Sequence, residues 1–250
     1  MDHPSFYVAG IEVKATSPSE ATNFVVKSAL SDSSSAVHFI NAYTISLAAT
    51  DVNLKQILNS ATANYPDGKP LSWIGRLRGI NANQVRGPET FENVLDQGRV
   101  KGLRHFLLGG SPDTLASLAT AITEKYEGVH IVGTYSPPFR KLSQAELDEQ
   151  DELIRDSGAN IVWVGLGTPK QDYETARLAR SVPITAAAVG AAFDFTAGTK
   201  QMAPAWISKA GFEWLYRFIT EPRRLWKRYT IGNAKFLYFA ARNWNSDEKP

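Results

Sequence analysis

The spacing of apolar positions changes repeatedly along the chain. Short runs rich in β-branched and aromatic residues occur at Phe6 to Val13, Ala36 to Ala42, His105 to Leu108, Val129 to Tyr135, Ile161 to Val164 and Ile184 to Val189. Such nearly continuous apolar runs predict strands buried on both faces. Between them lie stretches with helical spacing: Ser17 to Leu30, Thr44 to about Leu58, Leu71 to Gly79, Pro88 towards Gln97, Pro112 to Tyr126, Ser143 to Ser157, and Pro169 to about Arg180. Ser17 before Pro18 and Ser111 before Pro112 are suited to cap helices, because a serine oxygen accepts from the first unpaired backbone N–H groups. Strands alternating with helices predict right-handed crossovers, and hence an α/β fold with a mainly parallel, Rossmann-like sheet covered by helices on both faces. After Pro204 the pattern becomes purely helical, which predicts a division into an α/β domain, residues 1–204, and a helical appendage, residues 205–250. In the appendage Leu225, Tyr229, Phe236 and Phe239 fall near one helical face.

Within this alternation, Asn160 to Asp172 (NIVWVGLGTPKQD) reads as strand, glycine turn and helix. Gly165 and Gly167 allow a sharp turn and Pro169 suits the first position of the following helix. A helix amino terminus at the carboxyl end of a parallel strand presents unpaired N–H groups to an anion. An ordinary tight turn has the same composition, so the stretch does not by itself specify a ligand. Asn64 to Gly68 (NYPDG) likewise has turn composition, and Thr44 beside Asn41 reads first as a helix cap.

The 43% hydrophobic content supports a well-filled core in a chain of 250 residues. No apolar run is long enough to cross a bilayer, and the first residues lack the order of a signal peptide, which makes a cytoplasmic address the expectation. With no cysteine, thiol nucleophiles and cysteine-ligated metals are excluded, and the four histidines are too dispersed to suggest a metal site. The net charge of +2 conceals an asymmetry. From Ala205 to Pro250 there are nine Lys or Arg and four Asp or Glu, a balance of +5 that leaves −3 for the rest. The same segment holds four of the six tryptophans. Basic charge interleaved with aromatic rings suggests an anionic partner with an apolar part.

The chain has no GxxxxGK, GxGxxG, GxSxG or HExxH motif. It also lacks Asp-x-Asp, so a diphosphate would have to be neutralised by helix amino termini and by cations such as Arg86, Lys170 and those between Arg223 and Arg228. Nine features occur in one order: Asn41 with Thr44, Pro66-Asp67-Gly68, Arg86-Gly87, Gly109-Gly110, Ser136-Pro137-Pro138-Phe139, Gly165 through Asp172, Gly190 through Gly198, Ala203-Pro204-x-Trp206, and Glu213 through Arg217 with Glu221 through Arg224. In this combination the chain resembles the WecG/TagA/CpsF glycosyltransferases, glycosyltransferase family 26, over nearly its whole length.

The resemblance implies a GT-E-like fold and an inverting transferase without a metal or other cofactor. Such an enzyme moves N-acetylmannosamine, its uronic acid or glucose from a UDP-sugar to a polyprenyl-diphosphate-linked sugar at the inner face of the bacterial plasma membrane. It implies Asp67 as general base with Thr44 beside it, and Asn41, Arg86, Gly109, Gly167, Lys170 and Gln171 at the donor. Arg217, Arg224 and Arg228 of the appendage fall near a diphosphate, over a site approached from an anionic membrane surface and with no nucleic-acid partner. A homo-oligomer that hides the aromatic appendage is also compatible with the sequence. Two positions depart from the family pattern: Asp172 stands where glutamate is usual, and Met202 where arginine is expected. Two other readings of the residues are a nucleotide sensor with a nucleic-acid-binding tail and a UDP-sugar hydrolase or epimerase. A carboxylate at the crevice, Asp67, argues against the sensor.

Overall fold

A computed structural model of the chain describes residues 4–204, 207 and 213–245. The opening apolar run, expected as one strand, is a hairpin of β1 (Ser5–Val8) and β2 (Ile11–Lys14). Its turn is Ala9-Gly10, both at positive φ (53° and 73°), the combination that matches the twist of a two-residue hairpin. Helix α1 (Pro18–Ala29) then begins as expected, with Ser17 and Glu20 forming a reciprocal capping box.

Six strands form one parallel sheet in the order β4 (Ala63–Pro66), β3 (Ser35–Ile40), β8 (Thr185–Ala188), β7 (Ile161–Val164), β5 (Arg104–Leu108), β6 (His130–Tyr135). Every pairing in it is parallel. The fold is therefore α/β and Rossmann-like, with helices on both faces. Strand β4, despite its turn-like composition, is the edge strand beside β3, where Pro66 does not interrupt a central ladder. The hairpin covers that edge: Asn64 Nδ2 donates to Glu12 O (3.0 Å), and Asn59 Oδ1 accepts from Glu12 N (3.1 Å).

The period of two along each strand sorts side chains between two helical layers. Val37, Phe39, Leu107, Trp163 and Ala187 face α1, α5 (Gly87–Arg99), α6 (Pro112–Lys125) and α9 (Ala192–Thr196) in one buried cluster. On the other face, Phe106, Leu108, Val162, Val164 and Ala186 meet α7 (Gln144–Asp156) and α8 (Lys170–Ser181). Ile40 packs there with Ile45 of α2 (Ala42–Ala48), Leu58 of α3 (Val52–Asn59) and Leu71 of α4 (Lys69–Leu77). The helix expected from Thr44 to Leu58 is thus two, because Asp51 Oδ1 caps α3 by accepting from Leu54 N (3.1 Å).

The carboxyl-terminal part is helical as expected: α10 (Glu213–Thr220), α11 (Pro222–Lys227), a π turn (Arg228–Gly232) and α12 (Asn233–Arg242). Most of 205–212, the first part of the helix expected from Ala205, lies outside the described residues. The expected apolar face does pack: Phe236 and Ala240 join the cluster around Ile40 and Ile45. Among the described residues no helix is long and apolar enough to cross a membrane.

At the centre of the sheet Trp163 is fully buried, edge-on to Phe91 at 4.9 Å, and its Nε1 donates to His105 Nδ1 (3.1 Å). Burial pushes the His105 pKa down to about 3, and neighbouring His130 adds to the effect. Because the folded value lies below the unfolded one of about 6.5, the contribution of neutral His105 to stability is complete above that pH and is lost as pH falls. Urea unfolding of the wild type and of His105→Gln tests this. Between about pH 7 and about pH 5 the wild type should lose about 2 kcal/mol relative to the variant; parallel stability curves would refute it.

Candidate active site

The loops after β3, β4, β7 and β8 meet at the carboxyl end of the sheet, the place where open α/β sheets bind ligands. They enclose, with α4 and the carboxyl-terminal helices, a cavity of about 1000 Å³. After β3, Asn41 caps α2: its Oδ1 accepts from Tyr43 N (3.0 Å) and Thr44 N (3.3 Å), while Thr44 Oγ1 accepts from Asn41 N (3.4 Å). Asn41 reaches the cavity wall, whereas Thr44 is buried below it and does not line it.

Asp67 follows the edge strand and is fixed through its backbone and its carboxylate. Its N–H donates to Ile40 O (2.8 Å), its carbonyl accepts from Gln84 Nε2 (2.6 Å), and Oδ1 accepts from Gly87 N (3.1 Å) at the start of α5. Close packing explains the glycine at 87, where a Cβ would lie 3.3 Å from Val189 O and 3.4 Å from Phe39. Asp67, Gly68 and Arg86 all line the cavity.

Opposite stands the loop after β7. Gly167 N donates to Gln171 Oε1 (3.0 Å) and Gln171 N to Gly167 O (3.0 Å), so the glutamine side chain, 3% exposed, braces the turn while lining the cavity. Gly109 serves this loop from behind: at φ 118°, a Cβ there would stand 2.7 Å from the Gly165 carbonyl carbon. Gly109 and Lys170 do not line the cavity. Lys170 Nζ sits 4.6 Å from the centre of the Phe139 ring, which does. Pro169 is the residue before α8 rather than its first residue. Asp172, the shorter carboxylate, is buried with Oδ1 3.1 Å from His38 Nδ1, linking α8 to β3. Met202 is 44% exposed and away from the cavity wall.

The fourth side comes from the carboxyl-terminal helices. Arg217 lies 5.7 Å from the Phe195 ring centre, and Arg228 4.9 Å from that of Tyr43. The side chain of Arg224 lies outside the described residues. Burial pushes the Arg228 pKa down; Tyr229 opposes this, Arg217 adds to it, and Asp67 opposes it. Its Nε is buried and has no hydrogen-bond partner among the described residues. A π turn, which adds a residue to one helical turn and frequently marks functional sites, carries this arginine. A buried cationic donor without an acceptor is costly, and an anionic ligand in the cavity would satisfy it.

The structure therefore brings Asn41, Asp67, Arg86, Gly167, Gln171, Arg217 and Arg228 together, and leaves Thr44, Gly109 and Lys170 behind or beside the wall. Tyr43, Trp73 and Asp194 also line the cavity, although no sequence motif marks them as site residues. Asp194 lay within the glycine-rich stretch 190–198, and its Oδ2 is 2.5 Å from Lys200 Nζ. Tyr43 and Trp73 fit an ordinary helical pattern, so nothing local distinguished them. Among the described residues no group of three or more His, Asp or Glu is arranged to hold a metal ion. The wall thus carries two carboxylates, Asp67 and Asp194, and the arginines Arg86, Arg217 and Arg228, groups of the kinds that can move a proton and bind a diphosphate.

Replacing Gly109 by alanine tests the packing behind the Gly167 loop. Gly102, at φ 67° with nothing within 4 Å of its Cβ position, is the reference: Gly102→Ala should cost about 1–2 kcal/mol of backbone strain alone. Gly109→Ala should exceed it by at least about 1 kcal/mol in chemical denaturation, because the clash is with backbone; equal costs would contradict the close approach.

A model of the Glycosyl transferase WecG/TagA/CpsF family matches residues 6–250. The match takes in the whole sheet, the Asp67 and Gly167 loops and the arginine-bearing helices. The chain thus belongs to the WecG/TagA/CpsF family of glycosyltransferases, enzymes of bacterial polysaccharide biosynthesis.

Proposed function

We propose that the chain transfers a sugar from a UDP-sugar to a polyprenyl-diphosphate-linked saccharide by a single inverting displacement. Asp67 takes the proton of the acceptor hydroxyl as its oxygen bonds to the anomeric carbon. The bond from that carbon to the UDP oxygen breaks, leaving its electron pair on the diphosphate. The observation that carries this reading is the shared cavity of Asp67, fixed at the carboxyl edge of the sheet, and Arg228, whose buried Nε has no acceptor among the described residues. Arg86, Arg217 and Arg228 supply charge for the leaving diphosphate without a metal. Asn41, Gly167 and Gln171 form the donor wall, and N-acetylmannosamine, its uronic acid and glucose are the donor sugars to test first.

Asp67→Asn should retain UDP-sugar binding by calorimetry and lose about 10²- to 10⁴-fold in transfer, the usual contribution of a general base. Transfer at the wild-type rate would refute the assignment. In the same assay, label from the UDP-sugar should enter the organic phase only with polyprenyl-diphosphate sugar present. Release of free labelled sugar without acceptor would instead indicate a hydrolase.

Residues 205–250 act, in this reading, as a lid that also brings the enzyme to the inner face of the plasma membrane. Trp214 and Ile219 of α10, Trp226 of α11 and Ile231 of the π turn are exposed apolar residues, and Arg223 and Lys227 of α11 and Lys235 of α12 add positive charge to the same carboxyl-terminal segment. That mixture suits the headgroup region of an anionic bilayer. Ile219→Ser combined with Trp226→Ser should reduce sedimentation with anionic vesicles at least about tenfold. Unchanged sedimentation would rule out contact through this surface.

A further inference from the structure

The cavity containing Asp67 continues as an apolar groove between α4 and α12, and the ends of the two helices show which way it runs. At one end, a Cβ on Gly68, just before α4, would meet Asn41 Cβ at 3.4 Å. The π turn before α12 reaches the same place: Arg228 stacks on Tyr43, and a Cβ on Gly232 would stand 3.1 Å from the Tyr43 ring. At the other end Arg78, just after α4, stacks 4.6 Å from the ring centre of Trp244, just beyond α12. The helices therefore run side by side in the same direction. Between the ends, α4 contributes Trp73, Ile74 and Leu77 and α12 contributes Phe236 and Leu237. At about 1.5 Å per residue the α4 wall is about 12 Å long.

Leu77 and Leu237 are 75% and 64% exposed although they line one cavity, so apolar surface is left open inside the groove. Its polar end holds Arg228, whose buried Nε has no acceptor among the described residues. A cation at one end of an apolar groove fits an amphiphile with an anionic head and a hydrocarbon chain. The volume, about 1000 Å³, lies at the upper end of roughly 300–1,000 Å³ for ligand sites and leaves room for a chain beside a nucleotide sugar.

We propose that this groove holds the first isoprene units of the acceptor, so that protein rather than bilayer surrounds the chain next to the diphosphate. This rests on the polyprenyl-diphosphate reading above. The probes are isopentenyl, geranyl and farnesyl diphosphate, titrated into the full chain in vesicle-free buffer and followed by calorimetry and tryptophan fluorescence. Affinity should rise at least about tenfold from isopentenyl to farnesyl diphosphate as apolar area is buried. In Leu77→Ser with Leu237→Ser the rise should shrink to below about threefold, with isopentenyl diphosphate binding unchanged, because both positions lie beyond the diphosphate end. Both residues are exposed, and far-UV circular dichroism checks that the variant remains folded.

Equal affinity for the three chain lengths, or an undiminished rise in the double variant, would overturn the proposal. So would loss of vesicle binding or of self-association in the double variant without any dependence on chain length in the wild type, which would assign the face to the bilayer or to a second copy. No donor sugar or transfer enters this readout. A failure here therefore leaves the transferase reading standing, and a failure of transfer leaves a measured chain-length dependence intact.

Discussion

The position of Asp67 depends on the parallel ladder between β3 and β4. The ladder continues one residue past the strand, through the bond from Asp67 N to Ile40 O, and the backbone is clamped further by Val85 N on Pro66 O and Gln84 on Asp67 O. Each of these bonds contributes about 0.5–1.5 kcal/mol, and together they hold the residue in one geometry. Because β4 is an edge strand, the ladder also needs protection from solvent and from other strands. The amino-terminal hairpin supplies it through Asn59 and Asn64. Residues far from the reacting atoms thus hold the carboxylate in place.

The opposite wall follows another rule, the cost of a poorly solvated charge. Arg228 is brought over Tyr43 by the π turn while Phe236 and Ala240 of α12 bury against Ile40 and Ile45. Apolar packing thereby supports a cation that has no acceptor at Nε among the described residues. An anion bound in the cavity would offset that cost, and under the proposed function anion binding and docking of α12 would then reinforce each other by linkage. In the proposed reaction the two walls divide the work: a hydrogen-bonded edge would hold the base, and the arginine-bearing segment would meet the diphosphate.

Alternating strands and helices were legible because buried parallel strands and amphipathic helices differ in period. The strand Ile161–Val164 falls where its apolar run placed it. The hairpin was hidden because Phe6 to Val13 is apolar throughout and Ala-Gly is a weaker turn signal than Asn-Gly. Strand β4 was hidden for the opposite reason, since Asn-Tyr-Pro-Asp-Gly has turn composition and only its place at the sheet edge makes it a strand. Of the residues that line the cavity, Asp67, Arg86, Arg217 and Arg228 stand in motifs or basic clusters that the sequence displays. Thr44, Gly109 and Lys170 belong to the same motifs, yet the structure gives them capping, close packing and an aromatic contact. That distinction depends on depth within the wall, which sequence spacing does not encode. The groove could not be read at all, because Leu77 and Leu237 look like ordinary helix residues until α4 and α12 are seen side by side.

The stereochemistry of the product tests the central claim most directly. If Asp67 is a base in a single displacement, proton NMR of the product formed from an α-linked UDP-sugar will show the β anomer from the first turnover. Retention of the α configuration would require a covalent or front-face mechanism and would contradict the role assigned to Asp67.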